Sequence, residues 1–231
     1  MTDEVPILTL DGPSGSGKGT IARAVATRLG WHLLDSGAIY RLLALASERD
    51  AVAADDEAGL VATAAHMHLD FTAEIGVDTR ALLNGEDVTE LIRTEACGDR
   101  ASQVAAIPGV RQALLQRQRD FRQSPGLVAD GRDMGTIVFP DAPIKVFLTA
   151  SVEERARRRH KQLKEQGVSV NLHDLSEEIA ARDERDANRS VAPLVPAGDA
   201  VVVDTTDVGI DAAVEAVLGE VRRRQALPDL N

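Results

Sequence analysis

Along the chain, apolar positions follow two signatures: short unbroken runs closed by Gly, Asp or Ser, and longer stretches in which they recur every three or four residues. The runs fall at 5–10, 31–35, 126–130, 144–149 and 200–204, and their lack of polar alternation predicts strands buried on both faces. The periodic stretches, at 21–29, 38–46, 55–65, 95–106, 110–122, 151–166, 176–188 and 210–224, predict helices. Strands alternating with helices build parallel sheets, because each strand must return through a covering crossover. The expected fold is therefore α/β, a five-stranded parallel sheet flanked by helices. The pattern changes once. Between 67 and 93, the segments 69–73, 77–83 and 88–89 read as short strands, the last two joined by the turn Asn84-Gly85-Glu86-Asp87. A hairpin cannot serve as a βα crossover, so this segment is expected as a small antiparallel β insert, an interaction surface or a flap over a substrate. His66 and His68 would then share a strand face, although solvent-exposed or packed histidines with no metal role are the stronger reading. The expected organisation is one chain with a core from 1–66, 94–150 and 190–231, the insert at 67–93 and a lid region at 151–189.

The first run passes directly into Gly12-Pro13-Ser14-Gly15-Ser16-Gly17-Lys18-Gly19-Thr20 and then into the first helix. Glycines let the backbone curl until successive N–H groups converge on an anion, and the following helix adds its positive end. Lys18 supplies a mobile charge for outer phosphates. The spacing from Gly12 to Gly17-Lys18 is that of a Walker A loop, so the fold is expected to be a P-loop NTPase that holds a nucleoside triphosphate. Gly19 stands where Ser or Thr ordinarily binds magnesium, and Thr20 comes one residue later as the candidate metal ligand. A ligand-free flexible turn would need neither the strand, nor the helix, nor the lysine in register.

Other polar residues gather at the expected carboxyl ends of strands, where open α/β sheets bind ligands. The run 31–35 ends in Asp35-Ser36-Gly37, making Ser36 and Arg41 candidates for a second substrate, with a helix cap and a solvated helix residue as the competing readings. The run 126–130 ends in Asp130, a Walker-B arrangement in which a carboxylate orients magnesium or its waters. Arg132 and Asp133 follow it, either into the same crevice or as a surface ion pair. Arg111 opens its helix near Ser102 of the preceding one. The helix at 151–166 begins with a capping box, Ser151-x-x-Glu154, and carries Arg155, Arg157, Arg158, Arg159 and Lys161. Arg182, Arg185 and Arg189 fall at i, i+3 and i+7, interleaved with Asp183 and Asp186. Exposed ion pairs would explain that alternation, but not the repeated choice of arginine, which grips phosphate bidentately.

Composition narrows the partners. A net charge of −11 at pH 7 argues against DNA or RNA, which call for a broad basic surface. One cysteine, Cys97, permits no intrachain disulfide and points to a reducing compartment. With an acidic start in place of a signal peptide and no apolar run of membrane-spanning length, the expected location is the cytoplasm, away from membranes.

Taken together, Asp11-Gly12-Pro13-Ser14-Gly15, Gly17-Lys18-Gly19-Thr20, Leu34-Asp35-Ser36-Gly37-Ala38-Ile39-Tyr40-Arg41, Asp130-Gly131-Arg132-Asp133-Met134-Gly135 and Asn188-Arg189 resemble the bacterial cytidylate kinases. The glycine loop alone would select only P-loop proteins; the block from Asp130 to Gly135 selects the family. The likeness spans nearly the whole chain, and the insert resembles that family's enlarged nucleoside-monophosphate-binding region. It implies transfer from ATP to CMP or dCMP, giving ADP and CDP or dCDP, with magnesium held by Thr20 and Asp130, in a monomer. It further implies that Arg41, Arg132 and Arg189 hold the acceptor phosphate. Ser102, Arg111 and Asp133 would read cytosine, with Ser36 lining the site, and Arg182 and Asp186 would lie near the ribose. Lys18, Asp130, Arg132, Arg158, Arg185 and Arg189 would act on the transferring group.

Hydrogen-bond chemistry agrees. Cytosine offers an amino donor beside acceptors N3 and O2, so Asp133 can accept while Arg111 donates. Uracil puts O4 where the amino group was, and a buried carboxylate so opposed costs roughly 1–3 kcal/mol, one to two decades of discrimination. Rival readings are another acceptor, such as UMP, AMP or shikimate, or a module that only binds ATP. No Asn-Lys-x-Asp guanine reader occurs, and Lys18, Asp130 and the lid arginines are all present. Arg132→Ala is expected to lower turnover with little effect on folding.

Overall fold

The computed structural model describes residues 5–72, 80–165 and 167–225. In chain order these form β1 (Ile7–Asp11), α1 (Lys18–Leu29), β2 (His32–Asp35), α2 (Ser36–Arg49), α3 (Glu57–His66), β3 (Leu69–Thr72), β4 (Arg80–Leu83), β5 (Glu86–Asp87), α4 (Glu95–Val104) and α5 (Pro108–Arg119). There follow β6 (Leu127–Gly131), β7 (Ile144–Thr149), α6 (Val152–Glu165), α7 (Leu172–Ala187), β8 (Val201–Asp204) and α8 (Ile210–Gln225). The expected strand residues Ala73 and 77–79 lie outside the described residues.

The five apolar runs form one parallel sheet in the order β2-β6-β1-β7-β8. β1 and β6 are buried at every position, which is why their runs carry no alternation. Leu8, Leu10, Val128, Val146 and Leu148 of the sheet pack with Ile21 and Val25 of α1 and Val214, Val217 and Val221 of α8. From β1 the chain crosses towards β2, whereas from β7 it crosses to β8 on the other side. Connections leaving in opposite directions open a crevice at the carboxyl end of β1, and the glycine loop fills that place.

Caps explain most of the helix limits. Asp35, not Ser36, caps α2 by accepting from the Ala38 N–H at 2.9 Å. Ser151 accepts from the Glu154 N–H at 3.2 Å, as its capping box predicts. Helix α7 starts at Leu172, earlier than the expected 176, because Asn171 accepts from the His173 N–H at 2.8 Å and so supplies a cap that apolar spacing does not register. His66 ends α3 with its ring bonded to the Ala62 carbonyl, so it does not share a strand face with His68. No described helix is long and apolar enough to cross a membrane.

The chain packs as two units: Met1–Leu34 with Arg122–Asn231, and Asp35–Phe121. The larger holds the parallel sheet. The smaller holds an antiparallel sheet, β3-β4-β5, with the turn Asn84-Gly85 at positive φ in both residues, as a tight hairpin requires. The expected insert at 67–93 thus shares a unit with the helices on either side of it, 35–66 and 94–121. Side chains account for that. Arg49 of α2 grips Glu86 with two bonds of 2.9 Å, Arg117 of α5 donates to the Met67 carbonyl at 2.9 Å, and the Phe71 and Phe121 rings meet at 5.9 Å.

Gly12 leaves β1 at φ +146°, and a Cβ there would stand 1.9 Å from the Leu148 carbonyl oxygen of β7. Backbone cannot yield as a flexible side chain can. Gly12→Ala is therefore expected to destabilise the protein by about 3 kcal/mol or more, read as a lowered urea midpoint at an unchanged m-value.

Candidate active site

In the larger unit the glycine loop is shaped by positive φ at Gly15 (77°) and Gly17 (89°), and by the Ser16 hydroxyl donating to the Pro13 carbonyl at 3.0 Å. Lys18 opens α1 and folds back over this loop, its Nζ donating to the Pro13 carbonyl at 2.6 Å and to Ser16 Oγ at 3.3 Å. The loop is fastened from α6 as well. Arg155, which sequence groups with the exposed arginines of α6, is 3% exposed, and donates to the Ser14 carbonyl at 3.0 Å and to Asp183 of α7 at 2.5 Å. Arg158 donates to Glu154 at 3.0 Å, to Thr205 Oγ1 at 3.1 Å and to the Thr205 carbonyl. The Thr205 hydroxyl in turn donates to the Ser16 carbonyl at 3.1 Å.

Past β6, Arg132 reaches the buried Asp186 of α7 at 3.2 Å, and Arg189 pairs with the other oxygen of the same carboxylate. Arg189 lies beyond the end of α7, so it joins this group through that pairing and not through the helical repeat with Arg182 and Arg185. Asp186, expected by resemblance near a ribose, thus holds two of the three arginines assigned to the acceptor phosphate. Asp133 is buried. Asp11, to which the sequence reading gave no role, is buried at the tip of β1 and accepts from the Met134 and Gly135 N–H groups, each at 2.8 Å. A carboxylate closing a run buried on both faces was the one available signal for it.

The smaller unit carries Ser36, Arg41, Ser102 and Arg111. The Ser36 hydroxyl donates to Gln118 Oε1 at 2.7 Å, so Gln118, read from sequence as merely core-facing, orients it. Arg41 donates to the Ile92 carbonyl at 2.5 Å and lies against Gly98 of α4, where a Cβ would come within 2.9 Å of its guanidinium. Arg111 donates to the Ala105 carbonyl at 3.1 Å and stands over the Tyr40 ring at 5.7 Å. The Ser102 hydroxyl is buried with no hydrogen-bond partner among the described residues.

Residues 8–223 match the sequence profile of the family described as Cytidylate kinase. The chain belongs to the cytidylate kinase family. It is 56% identical to a cytidylate kinase of Shewanella loihica, over 100% of this chain and 99% of that one. It is 57% identical to one from Colwellia psychrerythraea (94% and 96%) and 58% identical to one from Pseudomonas aeruginosa PAO1 (97% and 98%). As a family member the chain is a nucleoside monophosphate kinase, a phosphotransferase whose phosphate donor is ATP.

Electrostatics in the larger unit centre on Lys18 and Asp11. Burial, and then the neighbouring charges of Arg132 and Arg182, push Lys18 down to about 7, against the pull of Asp130 and Asp11. Burial pushes Asp11 up to about 6, against the two backbone N–H groups it accepts from. For magnesium, the carboxylate of Asp130 approaches the first turn of α1: Oδ2 stands 3.5 Å from where a Cβ on Gly19 would be, and Thr20 is exposed on that turn. Among the described residues, no group of three or more His, Cys, Asp or Glu could form a cage. One carboxylate and one hydroxyl fit magnesium, which takes few protein oxygens and completes its shell with phosphates and water.

The lowered Lys18 has a sign that can be tested. Its folded pKa lies below the unfolded value, so its charge costs stability fully below about pH 7, and that cost fades as pH rises towards 10.5. A bound triphosphate reverses the shift. At pH 8.5, ATP binding is expected to take up about one proton, measured by calorimetry in buffers of different ionisation heat; Lys18→Met should abolish the uptake.

Proposed function

We propose that the chain transfers the γ-phosphate of ATP to CMP or dCMP, giving ADP and CDP or dCDP, by direct attack of an acceptor phosphate oxygen. The observation that carries this reading is a lysine, Lys18, buried on the glycine loop of a protein of net charge −11, with the charge of Arg132 and, more weakly, of Arg182 acting on it beside those of Asp130 and Asp11. A fold that is acidic overall gathers cations at one loop only if a polyanion belongs there. Attack by the acceptor itself needs no protein nucleophile, so the chain must neutralise two mutually repelling nucleotides and align them.

On this reading Lys18 and the loop amides from Gly12 to Thr20 hold the donor phosphates. Thr20 and Asp130 would hold magnesium, which when bound supplies further positive charge between donor oxygens. Arg132 and Arg189, anchored on Asp186, are assigned to the acceptor phosphate, and so is Arg41 of the smaller unit. Holding arginines on a carboxylate limits their rotamers before substrate arrives, so less entropy is lost on binding. Asp186 retains lone pairs beyond those two bonds, so a ribose contact beside Arg182 is compatible with its anchoring role. Arg158 and Arg185 act on the transferring group from the lid helices, and excluding water there keeps the phosphate from hydrolysis. Ser102, Arg111 and Asp133 are assigned to cytosine, and Ser36 to the lining of its site; the buried Ser102 hydroxyl, without a hydrogen-bond partner among the described residues, supports this, since such a group is costly unless a ligand satisfies it.

ADP release from Mg-ATP across CMP, dCMP, UMP, AMP and shikimate tests the assignment. CMP and dCMP should lead, and chelating the divalent ion should stop turnover. Preference for UMP or AMP would overturn the cytosine reading, and no turnover with any acceptor would leave a module that only binds ATP. Asp133→Asn should lower the CMP-over-UMP ratio of kcat/KM by about ten- to a hundredfold. Arg132→Ala should lower kcat by on the order of a hundredfold. It should also lower stability, by about 1–3 kcal/mol, because the buried Asp186 loses one of its two arginines; this second effect departs from the sequence expectation of little change in folding.

A further inference from the structure

Asp11 is 5% exposed, and its oxygens divide between two consecutive peptides: Oδ1 accepts from the Met134 N–H and Oδ2 from the Gly135 N–H, both at 2.8 Å. Two parallel bonds fix both the position and the tilt of a peptide, which a single bond does not. The peptides so held follow directly on Arg132 and Asp133. On its other side Asp11 adjoins Gly12, the first residue of the glycine loop. The held segment is otherwise built to press on β1. A Cβ at Gly135 would come within 2.8 Å of Thr9 Oγ1, and the carbonyl of Asp133 accepts from Ile137 at 2.9 Å and Val138 at 3.1 Å to wind a π-helical turn over Met134–Val138. The backbone of Asp133 itself sits at φ −145°, ψ 25°, outside the helical and extended wells.

We propose that Asp11 is a positioning residue for base recognition: by clamping the Met134 and Gly135 amides it sets where the Asp133 carboxylate stands relative to the donor's glycine loop. This rests on the reading of Asp133 as the residue that meets the cytosine amino group. Only a carboxylate satisfies the clamp. Asparagine would accept from one amide and turn its own N–H₂ towards the other, and a shorter polar side chain would not span both. That the carboxylate is kept despite burial, which favours its neutral form, agrees with a demand for two acceptors at this point.

The test is Asp11→Asn in the full-length enzyme, with kcat and KM measured for CMP, UMP and ATP. Loosening the clamp should lower the CMP-over-UMP ratio of kcat/KM by about tenfold, whereas losing the Asp11 charge that acts on Lys18 changes the KM for ATP alike with either acceptor and so leaves that ratio untouched. A side chain that merely supports the fold would scale all substrates equally and leave the ratio untouched, and that result overturns the proposal. Asp133→Asn, assayed in parallel, separates the two ideas. If it collapses the ratio and Asp11→Asn does not, the positioning role fails while the base reader stands; if Asp133→Asn leaves the ratio at the wild-type value, the base reader fails and the proposal with it. Should Asp11→Asn not fold, amide exchange in the native enzyme decides: protected Met134 and Gly135 amides that slow further on CMP binding support the clamp, and exchange at open-loop rates overturns it.

Discussion

Like charges held close together in a low-dielectric interior repel strongly, and the larger unit is arranged around tolerating that repulsion until a polyanion relieves it. Lys18 shows the tension directly, because burial and the nearby Arg132 and Arg182 together favour its neutral form. The tolerance comes from carboxylates placed behind the cations. Asp186 is buried between Arg132 and Arg189, Asp183 takes Arg155, and Asp130 and Asp11 act on Lys18 from the tips of β6 and β1. Each carboxylate lowers the cost of its cation's burial. Helix α7 matters here chiefly as the carrier of two such carboxylates.

The same balance sets what the site can accept. With a net charge of −11, the protein repels anions at long range, so the attraction must be short-range and local. A compact triphosphate can meet a loop of backbone N–H groups, a helix N-terminus and Lys18 at once. An extended polyanion would meet the acidic remainder of the surface as well.

How much of this could be read from sequence depended on how local the cause is. The five strands were legible because burial on both faces leaves runs without alternation, and the glycine loop because its geometry is set by residues adjacent in the chain. The start of α7 was not, since a single Asn171 side chain decides it. Arg155 was indistinguishable from its neighbours on α6 because one arginine's burial depends on Ser14, far away along the chain. The clamp from Asp11 joins residues 123 positions apart, and the Ser36–Gln118 bond joins residues 82 apart. Residue type and spacing identify the groups able to make such bonds, but only the folded chain selects the partner. The grouping of the insert with α2 to α5 belongs with these, resting as it does on Arg49, Arg117 and a pair of phenylalanine rings.

Glycine supplies the complement to the carboxylate clamps. Where charge must be brought close, backbone must come closer still, and a Cβ at Gly12, Gly131 or Gly135 would meet Leu148, Met134 or Thr9 at 2.8 Å or less. These three glycines bring the ends of β1, β6 and β7 together so tightly that one carboxylate, Asp11, spans from the start of the glycine loop to the segment after Asp133. Close approach alone would leave that segment free to slide along β1, and the clamp alone could not reach it across intervening side chains. The glycine loop and the segment after Asp133 are tied to one strand tip because both conditions are met there.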